Sequence, residues 1–143
     1  MKRQAAVAVE GLAGPLADRL AAAVGRAAAA LKCPGLGAEI GGMDEARARA
    51  LNRKFRREGH AAEVLSFPLP SSGPGGFAGE ILVCPAAAAR QARRRGVSPG
   101  RWMEELCVHG YLHLLGYRHD DAESSSMLFS LQRSLMRRMG KPS

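Results

Sequence analysis

The chain has few of the features that mark secreted or membrane proteins. Its three cysteines, Cys33, Cys84 and Cys107, are odd in number and far apart, so we expect neither a disulfide framework nor a CxxC metal motif. Cys84 and Cys107 lie in apolar runs and are predicted to be small core residues. No stretch approaches the roughly 18 uninterrupted apolar residues of a transmembrane helix, and Glu10 interrupts the apolar start that would suit a signal peptide. We therefore expect a soluble, cytoplasmic protein with no membrane partner.

Acidic residues are scarce relative to basic ones. The 143 residues include 21 Lys and Arg against 13 Asp and Glu, which gives a formal net charge of +8. A charge of this sign and size favours a polyanionic partner, of which nucleic acid is the commonest, although an arginine- and alanine-rich composition can produce the same excess. With 46% hydrophobic and 24% charged residues, the composition is that of a globular protein, and we expect one domain over residues 1–143.

Short β-rich segments alternate with amphipathic helical segments along the chain. Four segments predict strands, at residues 5–10, 37–43, 63–67 and 77–84. Five segments with apolar residues at three- and four-residue steps predict helices, which begin at Gly14, after Asp44, at Pro85, at Pro99 and at Asp120. The last two strands form a hairpin around a loop at 68–76. This order indicates an α+β fold with about four strands in one mixed sheet and helices packed on it.

Three of the four histidines fall within residues 109–119. His109 and His113 are four residues apart, so both imidazoles project from one face of the helix that begins at Pro99, in its C-terminal half. Gly116 can take the left-handed conformation that ends a helix, which lets His119 turn back toward the other two. Three imidazoles with a fourth position left to water are the pattern of a catalytic zinc site. We therefore predict one Zn²⁺ bound by His109, His113 and His119.

The histidine spacing matches the H-x-x-x-H-x-x-G-x-x-H motif of metzincin peptidases, with one difference. Gly110 stands where those enzymes carry the glutamate general base. A metal-dependent peptidase-like hydrolase therefore stays an alternative that this glycine disfavours. Other carboxylates could take the role of the base, but the sequence places none of them near the metal: Glu63, Glu80, Glu104 and Glu105.

Basic residues precede the strand predicted at 63–67. A zinc ion lowers the pKa of its bound water to about 7 and so supplies a nucleophile without a protein serine or cysteine. Attack on a phosphodiester also needs positive charge beside the phosphate oxygens, and arginine offers two parallel donors for them. The candidates for this role are Arg53, Lys54, Arg56 and Arg57. The same run also fits a solvated helix face.

Several motifs together resemble one known family. Residues 109–119 resemble the H-G-x-L-H-L-x-G-Y-D-H signature of the YbeY family of bacterial endoribonucleases and ribosomal RNA maturation factors. Residues 51–56 are similar to the family's L-N-x-x-Y-R, residues 64–68 to the end of its T-D-V-L-S-F-P, and residues 79–81 to its G-D-I. The resemblance covers roughly residues 40–132.

The resemblance implies an α+β, zinc-dependent endoribonuclease that prefers single-stranded RNA. It implies that His109, His113 and His119 bind the metal, that His113 is thereby part of the catalytic centre, and that Arg56 takes part in RNA cleavage. It further implies maturation of the 3′ end of small-subunit ribosomal RNA and ribosome quality control, with precursor RNA and the small ribosomal subunit as partners. The sequence favours a monomer without fixing the oligomeric state.

The chain departs from the family pattern at three places. Arg118 replaces the aspartate before the third histidine, which removes a possible hydrogen-bond acceptor beside the metal, although Asp120 or Asp121 could take its place. Residues 62–63 are Ala-Glu instead of Thr-Asp. Gly59-His60 stands where an aspartate is common, and His60 is either a surface residue or a contact with RNA. A non-catalytic, ribosome-associated RNA-binding protein with a structural zinc is a further alternative.

Overall fold

The computed structural model describes residues 6–8, 11–32, 37–68, 77–117 and 122–138. Within these ranges the strands and helices follow one another as β1 (Ala6–Ala8), α1 (Gly14–Ala30), β2 (Gly37–Gly42), α2 (Glu45–Arg56), β3 (Val64–Pro68), β4 (Phe77–Val83), α3 (Pro85–Arg95), α4 (Pro99–Leu114) and α5 (Ala122–Arg138). None of the helices in these ranges combines the length and the apolar character that a membrane span requires. The predicted loop beyond residue 68 and the predicted helix start at Asp120 lie outside the described residues.

The strands form one mixed sheet in the order β1-β2-β4-β3. β2 pairs in parallel with both β1 and β4, whereas β3 and β4 are antiparallel, which confirms the predicted hairpin pairing and the α+β class. Three strands of five to seven residues make the body of the sheet. The predicted count of about four is reached only with β1, whose pairing covers three residues.

Helix starts follow the polar residues that precede them. The Asp44 carboxylate accepts the Arg47 N–H at 2.8 Å and caps α2, and the Ser98 hydroxyl accepts the Arg101 N–H at 3.2 Å and caps α4. Pro99 occupies the first turn of α4, where its missing N–H costs nothing. These caps confirm the predicted starts of both helices.

The end of α4 is fixed by Gly116. This glycine has φ +101°, and its N–H donates to His113 O at 3.0 Å. An L-residue rarely adopts this φ, so the glycine allows the chain to leave the helix directly after the histidine turn, as predicted.

The apolar core has two parts on opposite faces of the sheet. Helices α1 and α4 cover one face, where Ile40, Ile81 and Tyr111 are fully buried. Helix α2 covers the other, around Leu65 and Leu82, and α3 contributes Ala87 to this part and Ala88 to the first. Alternation along each strand produces this division, because neighbouring residues point to opposite faces. The predicted burial of the Cys84 and Cys107 thiols is confirmed, and both are unbridged.

A buried carboxylate of α4 is paired with arginines of α1 and of α4 itself. Glu104 of α4 is 5% exposed and lies 3.2 Å from Arg19 of α1 and 3.6 Å from Arg101. Arg101 also donates to Met136 O of α5 at 3.0 Å. Glu104 was one of the four carboxylates considered from sequence as a general base. Because it is paired with arginines, we do not assign it that role.

Candidate functional site

Two histidines face each other on the last turns of α4. The Nε2 atoms of His109 and His113 are 3.0 Å apart, and their rings meet edge to face with centroids 4.6 Å apart. The four-residue spacing produces this approach, since it places the side chains one turn apart on one helix face. In a tetrahedral zinc site with Zn–N bonds of about 2.0–2.1 Å, two ligand nitrogens lie about 3.3 Å apart. The pair therefore fits two positions of such a site.

Gln132 of α5 contacts the far side of the His109 ring. Its Oε1 lies 2.7 Å from His109 Nδ1. A carboxamide oxygen only accepts hydrogen bonds, so Nδ1 carries the proton and the lone pair of the neutral ring is on Nε2. This is the tautomer that a metal at Nε2 requires.

The predicted third ligand, His119, lies outside the described residues, as does Arg118. Within the ranges that the structure describes, no three His, Cys, Asp or Glu side chains come together as a metal-binding group. The described part of the chain therefore supplies a histidine pair, and the three-histidine zinc site stays a prediction.

The histidine pair lines a cavity of about 520 Å³ between α4, β3 and the end of α2. Its described lining includes the side chains of Arg56, Glu58, Ser66, His109 and His113. Arg56 is positioned by an Nη2–H bond to Val64 O at 3.2 Å. Of the four basic residues considered from sequence, Arg56 is the one that the structure brings together with the histidines.

Glu58 is a residue of this cavity that the sequence analysis did not consider. It follows the left-handed Arg57 at the end of α2, and its Oε2 lies 3.3 Å from His60 Nε2. The only feature of the sequence that could have identified Glu58 was its position two residues after Arg56, just beyond the end of the same helix. Among the described lining residues, Glu58 is the one carboxylate that shares the cavity with the histidines.

The other carboxylates considered from sequence as a general base do not belong to the described lining of this cavity. Glu63 accepts the Trp102 Nε1–H at 2.6 Å. Glu80 precedes Ile81, which packs toward α4, so strand alternation directs Glu80 to the opposite face of the sheet. Glu105 precedes His109 by one turn of α4 but is not among the described residues that line the cavity.

Gly110 lies where α4 approaches the sheet. A Cβ atom built there would be 3.4 Å from Ile81 Cγ2 and 3.7 Å from Ser66 Cβ. Gly110 also lines the cavity that the two histidines share. The position at which a metzincin carries its base therefore brings no carboxylate to this cavity, which argues against the peptidase alternative.

A second cavity adjoins the first and is rich in arginine. It has a volume of about 390 Å³ and shares Arg56, Val64 and Leu106 with the histidine cavity. We call it the arginine groove, after Arg49, Arg56, Arg90 and Arg94 in its lining. His60 and Glu63 also line it, so His60 is a surface residue beside the groove.

Arg90 of this groove is paired with a carboxylate of α2. It forms two hydrogen bonds to Glu45, one of them from Nη2 to Oε2 at 3.1 Å. These bonds hold the pKa of Glu45 below its ordinary value and raise the pKa of Arg90. Arg90 is thus engaged with α2, and Arg49, Arg56 and Arg94 also line the groove.

Together these features define a class: small α+β proteins with a histidine pair on one helix, turned toward a cavity that opens into an arginine-lined groove. The family model described as Endoribonuclease YbeY matches residues 16–140. The chain belongs to this family.

Individual relatives agree with the family match. An Endoribonuclease YbeY of Thermobifida fusca is 38% identical over 102 residues, which is 66% of each chain. One of Neisseria gonorrhoeae is 36% identical over 121 residues, 79% of this chain and 71% of the relative. The chain thus spans about two thirds of the length of these curated relatives.

A solved structure shows the same fold. The solution structure of TM1509 from Thermotoga maritima superimposes with a TM-score of 0.65 at 24% identity, covering 92% of this chain and 87% of that one. At this identity the likeness concerns the arrangement of helices and strands alone.

Proposed function

We propose that the protein is a zinc-dependent endoribonuclease that cuts single-stranded RNA. One observation carries the proposal: Arg56, His109 and His113 line one cavity in a chain of the Endoribonuclease YbeY family. The substrate we propose is precursor ribosomal RNA at the 3′ end of the small-subunit RNA, with the small ribosomal subunit as partner and a role in ribosome quality control. These finer assignments rest on the motif resemblance.

The residues of the proposed site divide the chemistry among them. His109 Nε2, His113 Nε2 and His119 would hold the metal, which when bound supplies a Lewis acid and lowers the pKa of water to about 7. Arg56 would bind a non-bridging oxygen of the scissile phosphate through its guanidinium and stabilise the charge that develops there. Glu58 shares the cavity and would accept a proton at its carboxylate.

The arginine groove supports RNA as the substrate. It continues from the histidine cavity past Arg56 to Arg49 and Arg94, so phosphates on one side of the cleavage point would meet further guanidinium groups. Such contacts bind the backbone of a strand without reading its sequence. The net charge of +8 adds a long-range attraction for the polyanion.

Cleavage of a defined RNA tests the proposal. Zinc-loaded wild-type protein would be incubated with end-labelled single-stranded RNA that contains the precursor 3′ end, and with the same sequence as a duplex. We expect cleavage of the single strand, its loss in His113→Ala, and a rate about 10²- to 10³-fold lower in Arg56→Ala with zinc content unchanged. Glu58→Gln should lower the rate by about 10²-fold.

A matched variant identifies the role of the guanidinium. Arg56→Lys keeps the charge but loses the two parallel donors, so its rate should lie between those of wild type and Arg56→Ala. Zinc-loaded protein that leaves the single strand intact would contradict the proposed activity. RNA binding that survives chelation, without any scission, would instead support the binding-protein alternative.

A further inference from the structure

Gln132 lies on a different helix from the histidine pair, 23 residues away from His109 in the chain. Leu128 and Leu135, one turn before and after it on α5, are fully buried against the core formed by α1 and α4. These two buried side chains fix the position of α5 along its axis and its rotation about that axis. The Gln132 carboxamide that contacts His109 therefore belongs to a helix that is packed on the core.

The contact controls which nitrogen of His109 carries the proton. With Oε1 of Gln132 at 2.7 Å, Nδ1 donates its N–H and the unshared pair stays on Nε2, the atom that lies 3.0 Å from His113 Nε2. A neutral imidazole without such an acceptor can place its proton on either nitrogen, and a proton on Nε2 blocks a metal there. The same hydrogen bond fixes the rotation of the ring.

We propose that Gln132 is a positioning residue of the metal site, which holds His109 in the tautomer and rotation that present Nε2 to the ion. The proposal rests on the metal site of the proposed function, but its readouts are metal affinity and tautomer, not RNA cleavage. Hydrogen-bond acceptors behind metal-binding histidines commonly change metal affinity by about 10- to 100-fold. In this chain the acceptor is a neutral amide supplied by the last described helix.

Two substitutions at position 132 separate hydrogen bonding from packing. Gln132→Met keeps the length of the side chain and removes the acceptor, whereas Gln132→Glu keeps an acceptor and adds charge. Ser130→Ala, an exposed change on the same helix, is the control. The dissociation constant for Zn²⁺ is measured for each variant by competition with a chelating dye.

We expect Gln132→Met to bind Zn²⁺ about 10- to 100-fold more weakly than wild type, with Gln132→Glu and Ser130→Ala within a few-fold of it. In metal-free protein, ¹⁵N NMR of the His109 ring should show the Nδ1–H tautomer in wild type and Gln132→Glu, and a mixture in Gln132→Met. If Gln132→Met does not fold, Gln132→Ala replaces it, and the wild-type tautomer needs no variant.

Three results would overturn the inference: an Nε2–H tautomer in wild type, an unchanged dissociation constant in a folded Gln132→Met, or no Zn²⁺ binding by wild type. Failure of the proposed function has a different signature. A protein that binds Zn²⁺ in a Gln132-dependent way but leaves RNA intact would keep the positioning role and lose the nuclease.

Discussion

Arg57 shows how a single residue can be held in an unfavourable backbone conformation beside the site. It ends α2 with φ 59° and ψ 31°, the left-handed region, and its side chain is exposed. An L-residue in this region is strained by roughly 1–2 kcal/mol because its Cβ approaches the carbonyl oxygen. The strained turn directs the chain into Glu58, which lines the histidine cavity, and His60, which lines the arginine groove.

Glycine at position 57 should therefore stabilise the protein. We expect Arg57→Gly to raise the free energy of unfolding by about 0.5–1 kcal/mol, since relief of strain exceeds the entropy that glycine adds to the unfolded chain. Arg53→Gly, the same change inside α2, should lower it by about 1 kcal/mol. Urea denaturation measures both values, and a loss of stability in Arg57→Gly would contradict the argument.

The Cys107 thiol predicts a pH dependence of stability. Burial raises its pKa well above the ordinary value of 9.0, and the nearby Glu104 charge adds to the rise. The folded protein therefore keeps the proton, whereas the unfolded chain loses it above its own pKa. The stabilisation is complete below that pKa and is lost as the pH rises toward the folded value.

Replacing the thiol should flatten this dependence. Between about pH 8 and about pH 10, the free energy of unfolding should fall less steeply in Cys107→Ala than in wild type. The variant is expected to be less stable at neutral pH because it leaves a small cavity, so the slopes are compared and not the absolute values. Equal slopes would show that the thiol ionises in the folded protein.

The sequence predicts some residues of the candidate site and not others. His109 and His113 follow from a four-residue spacing within one helix, and Arg56 from a local motif. Gln132 contacts His109 only because α5 packs on α4, and no local pattern encodes such a contact. Glu58 depends likewise on the direction in which the chain leaves α2.

At the scale of elements, α4 carries the histidines and meets the sheet through Gly110. Glycine inside a helix lowers stability by about 1 kcal/mol relative to alanine. The contact distances of 3.4 Å and 3.7 Å for an added Cβ are ordinary van der Waals contacts. Space for one methyl group therefore exists, whereas a larger side chain would push α4 away from β3 and β4.

Two substitutions at position 110 should differ in sign. We expect Gly110→Ala to keep or raise the free energy of unfolding, by up to about 1 kcal/mol, and Gly110→Leu to lower it by about 1–3 kcal/mol or more through overpacking. Thermal unfolding followed by circular dichroism measures both. Similar losses for the two variants would show that the backbone, and not the available space, requires glycine.

Element boundaries are more predictable than element pairing. Asp44 and Ser98 mark helix starts in the sequence because their side chains cap nearby N–H groups. The β3–β4 hairpin was predicted because its two segments are neighbours in the chain, whereas the parallel pairing of β4 with β2 carries no such local mark, because it joins segments that are distant in the chain. The three-residue length of β1 was likewise beyond a prediction from residue type.

For the whole molecule, the net charge of +8 indicates a polyanionic partner but not the face that meets it. The structure gathers Arg49, Arg56 and Arg94 in one groove beside the histidines, while other arginines lie elsewhere. Arg19, for example, is paired with the buried Glu104. The location of the basic surface depends on how α2 and α3 lie on either side of the groove, where Arg90 pairs with Glu45, and the composition does not contain this arrangement.

Binding of single-stranded RNA should depend on this groove. In a His113→Ala background that prevents cleavage, Arg49→Ala with Arg94→Ala should weaken binding and reduce the slope of log affinity against log salt by about 1.4, or about 0.7 for each lost phosphate contact. The exposed Arg53 and Arg133 lie outside both cavities and give a control pair with the same change in charge. Fluorescence anisotropy at several salt concentrations compares the two, and equal slopes would contradict a groove-specific contact.

The hydrogen bond from Arg56 to the Val64 carbonyl also bears on aggregation through the edge of the sheet. β3 is an outer strand of the sheet, and because Cys84 N–H bonds Glu63 O, the Val64 carbonyl points away from β4. Unpaired edge groups of this kind can recruit a strand from a second chain and begin aggregation. The Arg56 guanidinium donates a hydrogen bond to this carbonyl and places a charge beside it. The side chain proposed to bind the phosphate therefore also protects the edge strand against pairing with a second chain.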